Sequence, residues 1–385
     1  VNTGNNNTAV GDQALEANTS GINNTAMGDD ALVANTTGSS NVAIGASALD
    51  ANTTASNSTA VGFEAGTNST GAQNTFFGRQ SGKGVTSGTE SVFVGNGAGR
   101  DGTSIGDYNI GIGSVCLNAL TQGHSHVAIG RDALSATTTG SESVAVGYQA
   151  GMDNTTGRVV AVGRHALKSN TTGTTNTAVG YRALRDCTTG NDNVAMGNDA
   201  MRDATTAVRN TCFGHSAGIN ITTGNDNTFF GYEAGVYQGS VTTGNHNVIV
   251  GPFSTTTTSS TNLAFGFGYN LDCEGGYTTL GNQNADIRAA HGTATWSTVS
   301  DERYKKDITD STVGLSFINA LQPRTFNYKN KGELPDTFRA YEEDSTEVFK
   351  SDKTQHGFIA QEVKAAIDAD SGVKDGFKLW DERSD

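Results

Sequence analysis

The chain has 385 residues, of which 50 are glycine and only three proline, with 35% hydrophobic and 17% charged residues and a net charge of −14. That charge argues against nucleic acid as a partner, and no run of 18 apolar residues is present to insert into a membrane. The four cysteines (Cys116, Cys187, Cys212, Cys273) are far apart and form no Cys-x-x-Cys pair, so neither a zinc site nor a disulfide scaffold is indicated.

In chain order, the first element is a motif repeated over residues 1–251. Its core is Asn, a β-branched residue, Ala, an aliphatic residue and Gly, as in Asn7-Thr8-Ala9-Val10-Gly11. Its closing glycines run Gly11, Gly28, Gly45, Gly62, Gly78, Gly95 and onward to Gly231 and Gly251, mostly 17 residues apart, with steps of 16 before Gly78 and Gly163. A short period held this strictly is the mark of a repeat architecture, in which each unit buries its face on its neighbours. Disordered tracts share the Asn, Thr, Gly and Ser content but need no apolar register. A helix is excluded by the glycine and β-branched content and by the lack of an apolar stripe every three to four residues.

Three residues before each glycine the side chain is β-branched and one before it is apolar, so the two share one strand face. The residue between them, usually Ala, takes the other face. Both faces are therefore apolar and both are expected to be buried. A thin coil covers one with its own far wall, and a second copy of the chain covers the other. At about 4.8 Å per turn, fifteen turns make a rod on the order of 70 Å.

After each glycine comes Ala-Leu, as in Ala31-Leu32, or a small residue and Gly, as in Ser81-Gly82. Where the central Ala becomes Phe76, Phe93, Cys212 or Phe229, the Leu position is Gly82, Gly99, Gly218 or Gly235, which reads as volume compensation in one packed layer. Gly66 and Gly151 do not obey this rule, since their own turns carry Ala60 and Ala145. Polar turns such as Asn35-Thr36-Thr37-Gly38 close each unit. His124-Ser125-His126 and the Asn-Asp-Asn turns at 191–193 and 225–227 are weak metal candidates, and no metal or cofactor is expected.

These repeats resemble those in the heads of trimeric autotransporter adhesins and related phage fibres, above all at Asn41-Val42-Ala43-Ile44-Gly45 and Ser143-Val144-Ala145-Val146-Gly147. The resemblance implies a mainly β fold: a left-handed parallel β-roll in a homotrimer, with 17-residue repeats slightly longer than usual there.

Residues 252–299 break the register and are expected to form a neck. At Ser300-Asp301 the composition changes: 33 of the first 300 residues are charged, against 31 of the last 85. Beyond it, a short helix is expected at Ser316–Leu321, ending before Pro323, then a strand at Thr325–Tyr328 and a strand-to-helix run at Phe358–Ile367, making 300–385 an α+β domain.

Ser300-Asp301-Glu302-Arg303-Tyr304-Lys305-Lys306-Asp307-Ile308, followed by His356-Gly357-Phe358-Ile359-Ala360-Gln361-Glu362-Val363, resembles the intramolecular chaperone auto-processing domain of phage tailspikes, tail fibres and endosialidases. The motif residues are Arg303, Ile308, Gly357, Phe358, Ile359, Ala360, Gln361 and Glu362. The resemblance implies a domain that templates trimerisation and cuts itself off at Ser300–Asp301, with Ser300 as nucleophile and Lys305 as its partner. A serine hydroxyl needs a base, and a desolvated lysine can serve. Attack by Ser300 on its own carbonyl closes a four-membered ring, whereas attack on the Val299 carbonyl closes five atoms, so either another bond reacts first or Ser300 acts across chains. Family members usually continue into a long C-terminal helix, and this chain starts at Val1 in mid-repeat, so both ends are expected to be truncated and the chaperone partial.

The expectation is a virion tail fibre, extracellular, binding itself as a homotrimer and a host-surface polysaccharide or outer-membrane component. The alternatives are a bacterial trimeric adhesin and a fragment of a glycan-degrading tailspike; no substrate-turnover site is visible beyond self-cleavage.

Overall fold

The computed structural model describes residues 3–236, 240–283, 285–292, 297–298, 315–336, 341–349 and 353–369. The chain forms two compact units, Val1–Val299 and Ser300–Asp385.

The first is a parallel β-solenoid of about 16 turns. Each turn contributes one short strand, from Thr8–Val10, Thr25–Met27 and Val42–Ile44 through to Val248–Val250. Each strand pairs with the next in register, Ala9 against Ala26 and Ala26 against Ala43. Pairing runs on past Gly251: Val248–Val250 meets Phe265–Tyr269, which meets Tyr277–Asn282, both in parallel. Only then does the sheet turn antiparallel, through Ile287–Ala290 and Ser297–Thr298.

Four positive-φ residues per turn, such as Ser40, Gly45, Ser47 and Leu49, keep the strands short. Gly45 shows why glycine closes the motif: its φ is +133°, and a Cβ there would lie 2.4 Å from the Gly62 carbonyl oxygen of the next turn. The Leu four residues after the closing glycine also has positive φ, from 48° at Leu117 and Leu134 to 57° at Leu15. That conformation costs roughly 1–2 kcal/mol for a residue with a Cβ. Complete burial of Leu32, Leu134 and Leu184 is worth about 1.5–3 kcal/mol each, so packing wins.

The central Ala of each strand points into the coil and is fully buried from Ala26 through Ala195. The residues on either side point outward. In this chain that outer face is not covered: Met27 is 45% exposed, Phe77 56% and Phe230 51%.

The volume compensation is geometric. A Cβ on Gly82 would stand 2.1 Å from Phe76, one on Gly99 2.8 Å from Phe93, one on Gly235 2.6 Å from Phe229 and one on Gly218 2.7 Å from Cys212 Sγ. Gly66 obeys the same rule across turns, because its Cβ would lie 2.5 Å from Phe76 of the following turn. Gly111, in place of the central Ala, leaves room for Phe93 at 2.8 Å. A Cβ on Gly151 would meet Leu134 at 3.0 Å and Ala145 at 3.9 Å, and no such ring explains it.

The motif asparagine also faces inward. Asn41 Nδ2 donates to the Ala55 carbonyl at 2.9 Å, and its Oδ1 accepts the Ser58 N–H at 2.9 Å. Asn176, Asn193, Asn210 and Asn227 continue the pattern. A second buried row joins Asn18, Asn35 and Asn52 side chain to side chain. These amides satisfy the backbone groups that tight corners leave unpaired, each bond contributing about 1 kcal/mol.

In the second unit, α1 (Leu315–Ala320) ends before Pro323, and the strand Arg324–Phe326 pairs antiparallel with Gln355–Gly357, which leads into α2 (Ala360–Ala369). Phe317 packs with Ala366 and Ile367, backed by Leu321 and Val363.

Candidate functional site

Ser300, Asp301, Arg303, Lys305 and Ile308, where cleavage is expected, lie outside the described residues. The second half of the motif is described, and it builds a strand-to-helix corner. Gly357 closes its strand opposite Arg324. Phe358 and Ile359 lie between strand and helix, 52% and 37% exposed. The Ile359 carbonyl accepts the N–H groups of Glu362 and Val363, which starts α2.

Glu362 is held by a two-point ion pair: Arg324 Nε to Oε2 at 3.0 Å and Nη2 to Oε1 at 2.8 Å. The Arg324 hydrogen bond holds the Glu362 carboxyl below its usual range. The pair is exposed, so its contribution to stability is small. It fixes the first turn of α2 to the strand. Arg324 escaped sequence reading because 38 residues separate it from Glu362, and no local pattern marks that distance. Beside the pair lies a shallow groove of about 350 Å³ lined by Ala320, Gln322, Arg324, Glu362, Ala366 and Ala369.

On the solenoid, the outward strand face forms a continuous stripe. Its positions carry Thr, Val, Ile, Met and Phe and no charged residue, from Thr8 and Val10 to Phe265 and Phe267. Phe213 and Phe230 stack along it with centroids 4.9 Å apart. Next to it, Arg164 sits 5.8 and 5.6 Å from the rings of Tyr148 and Tyr181.

The weak metal candidates are differently engaged. His126 takes an asparagine ladder position and is fully buried. Its Nε2 donates to the Gly140 carbonyl at 2.6 Å and its Nδ1 accepts the Ser143 N–H at 3.3 Å, so both ring nitrogens are used and the ring is neutral. Burial pushes its pKa down to about 4, against the opposing pull of the Gly140 carbonyl. Asp226 is clamped by Arg209 at 2.7 and 2.9 Å, and its partner lowers its pKa. The four cysteines are free and buried; burial raises the thiol pKa of Cys116 to about 12 and of Cys187 to about 11. Among the described residues, no helix is long and apolar enough to cross a membrane.

No curated protein and no solved structure matches the chain. Residues 300–371 match the family described as chaperone of endosialidase, and that segment, behind a parallel solenoid of about 17-residue turns, fits a tail fibre with a C-terminal chaperone.

Proposed function

We propose that the protein is part of a homotrimeric virion tail fibre that binds a host cell surface. In this reading, the segment from Ser300 guides assembly and is then cut off at Ser300–Asp301. Chaperone domains of the endosialidase type are associated with trimer formation. The observation that carries the reading for this chain is the uncharged outward stripe, with Val10 54%, Ile44 36%, Ile129 37% and Phe213 45% exposed. Exposed apolar patches of this extent mark interaction surfaces. A partner must be equally long, straight and uncharged, and a second and third copy in register meet that demand at every turn. Residues 1–251 then form the shaft or head, 252–299 the neck and 300–385 the chaperone.

In the cut, Ser300 Oγ attacks a backbone carbonyl, the leaving amine takes the proton that Lys305 relays, and water hydrolyses the resulting ester. Cutting after assembly removes the template, so the trimer persists through a high unfolding barrier. The host-surface ligand is a polysaccharide or an outer-membrane component. Light scattering of the full chain tests assembly, and its intact mass under denaturing conditions tests cutting. A stable folded monomer would sink the trimer, and an unshortened chain from the assembled, complete protein would sink the cut. A bacterial surface adhesin would share the stripe; the chaperone match favours the fibre.

A further inference from the structure

One corner of the solenoid lacks a residue that every other corner has. From residue 5 to residue 263, two residues stand before each inward ladder position, as in Ser141-Glu142 before Ser143 and Thr174-Thr175 before Asn176. The second of them is left-handed, with φ from 54° to 63°. Its N–H donates to the carbonyl of the first residue of the preceding corner at 2.7–3.2 Å. Between Gly157 and Val159 there is only Arg158. The left-handed residue is missing, so the chain straightens one residue early and the strands Val159–Val162 and Asn176–Val179 each have four residues instead of three.

Two consequences follow. The Ser141 carbonyl has lost the donor that the carbonyls of His124, Arg158 and Thr174 keep. A notch of about 390 Å³ opens between the neighbouring corners, lined by Thr139, Ser141, Thr156, Arg158, Thr174 and Thr175. Arg158 Nε reaches Glu142 Oε2 across its rim at 3.1 Å. The hydroxyls of Thr139 and Thr156 have no partner among the described residues and are free to bond a guest.

We propose that this notch is a saccharide subsite that takes one neutral pyranose unit with adjacent hydroxyls. The proposal rests on the host-surface reading above and names the ligand class. Its lining offers donors (the Arg158 fork and the hydroxyls of Thr139 and Thr156) and an acceptor (the Ser141 carbonyl), and the Glu142 carboxylate beside Arg158 adds a second acceptor at the rim. Sugar hydroxyls both donate and accept, so they match such a mixed set. An anionic sugar fits less well: Glu142 already balances the Arg158 charge, and the chain carries −14 overall. The volume falls within the range of small-ligand sites, and its polar lining differs from the apolar pockets that take drug-like molecules. One weak site per chain becomes useful when three copies engage one polymer.

The test uses the full-length protein and saturation-transfer NMR with the methyl glycosides of glucose, galactose, mannose and glucuronic acid. Insertion of one Asn between Arg158 and Val159 restores the missing corner residue and fills the notch; Arg158→Ala removes the donor fork from an exposed position. Arg209→Ala, at an intact corner, is the control. Expected are a signal from at least one neutral glycoside, its loss in the insertion variant, a reduction of roughly tenfold in Arg158→Ala, and no change in Arg209→Ala. The proposal is overturned if the insertion variant gives the same signals as the parent, or if only the glucuronide responds. Adsorption to bacterial cells separates the two readings. Parent and insertion variant adsorbing equally would remove the notch and leave host binding standing. Glycoside binding without adsorption to any cell would uphold the notch and remove the host-surface reading.

Discussion

At Gly82 the absent side chain is the functional group. Phe76 fills the space that Leu32 or Leu49 fills elsewhere, and a Cβ on Gly82 would stand 2.1 Å from its ring. Gly82→Leu is therefore expected to overpack the layer and cost roughly 1–3 kcal/mol. Phe76→Ala combined with Gly82→Leu recreates the common Ala–Leu pairing and should recover most of that loss. Thermal melts check both, and an unchanged melting temperature in Gly82→Leu alone would show that the two residues do not share a cavity. His126 gives a pH prediction. Its folded pKa is lowered to about 4 from an ordinary 6.5. Between those values the unfolded chain binds a proton that the folded chain refuses, so stability falls as pH drops from 6.5 to 4. The loss is about 3 kcal/mol. His126→Asn restores the usual ladder residue and removes this contribution. The difference in melting temperature between parent and variant should thus shift in favour of the variant as pH falls, and a difference independent of pH would refute the assignment.

At the scale of the element, each strand divides its three residues by size. The small central residue enters the narrow coil, and the two larger ones face out. Ile129 is 37% exposed while its neighbour Ala128 is fully buried. Ile129→Lys should therefore leave each coil folded and disrupt association, because it places a desolvated like charge in every copy at the same level of the stripe. Circular dichroism should keep its β signal while light scattering reports a lower mass. If the variant stays trimeric, the outward stripe is not the inter-chain face. The inward asparagines matter at the same scale. They hold consecutive corners together through Asn24, Asn41 and Asn176, Asn193, Asn210, and Ser58 or Ser143 can stand in for them because a hydroxyl also donates and accepts.

For the whole molecule, the proposed cut at Ser300–Asp301 lies one residue past the boundary between the two units, which falls between Val299 and Ser300. Ser300→Ala should leave the chain uncut but still trimeric, since the attacking hydroxyl is gone and the folding template is not. Lys305→Ala should behave nearly the same, because without a base the serine stays protonated. Lys306→Ala should cut almost normally. Denaturing gels of the complete protein, including any C-terminal helix, read all three; efficient cutting by Ser300→Ala would rule out the mechanism.

The repeat, its period and its parallel stacking were legible from residues 1–251 because one turn of a solenoid is one unit of sequence, and its packing partner is its own copy. The Phe76–Gly82 and Phe93–Gly99 exchanges were legible for the same reason. The direction of the strand was not. Ala26 and its neighbours Thr25 and Met27 are all compatible with burial, and only the width of the closed coil decides that Ala goes in and leaves Met27 exposed. In the sequence Asn41 is only the opening residue of the motif, and its inward role follows from the Ala55 carbonyl 14 residues away. Gly66 breaks the rule within its own turn, and only the next turn's Phe76, 2.5 Å from where its Cβ would stand, accounts for it. The Arg324–Glu362 pair and the notch at Arg158 likewise depend on groups that meet only when the chain folds. Sequence determines what repeats locally; contacts between turns and between distant strands decide which side chains share a space.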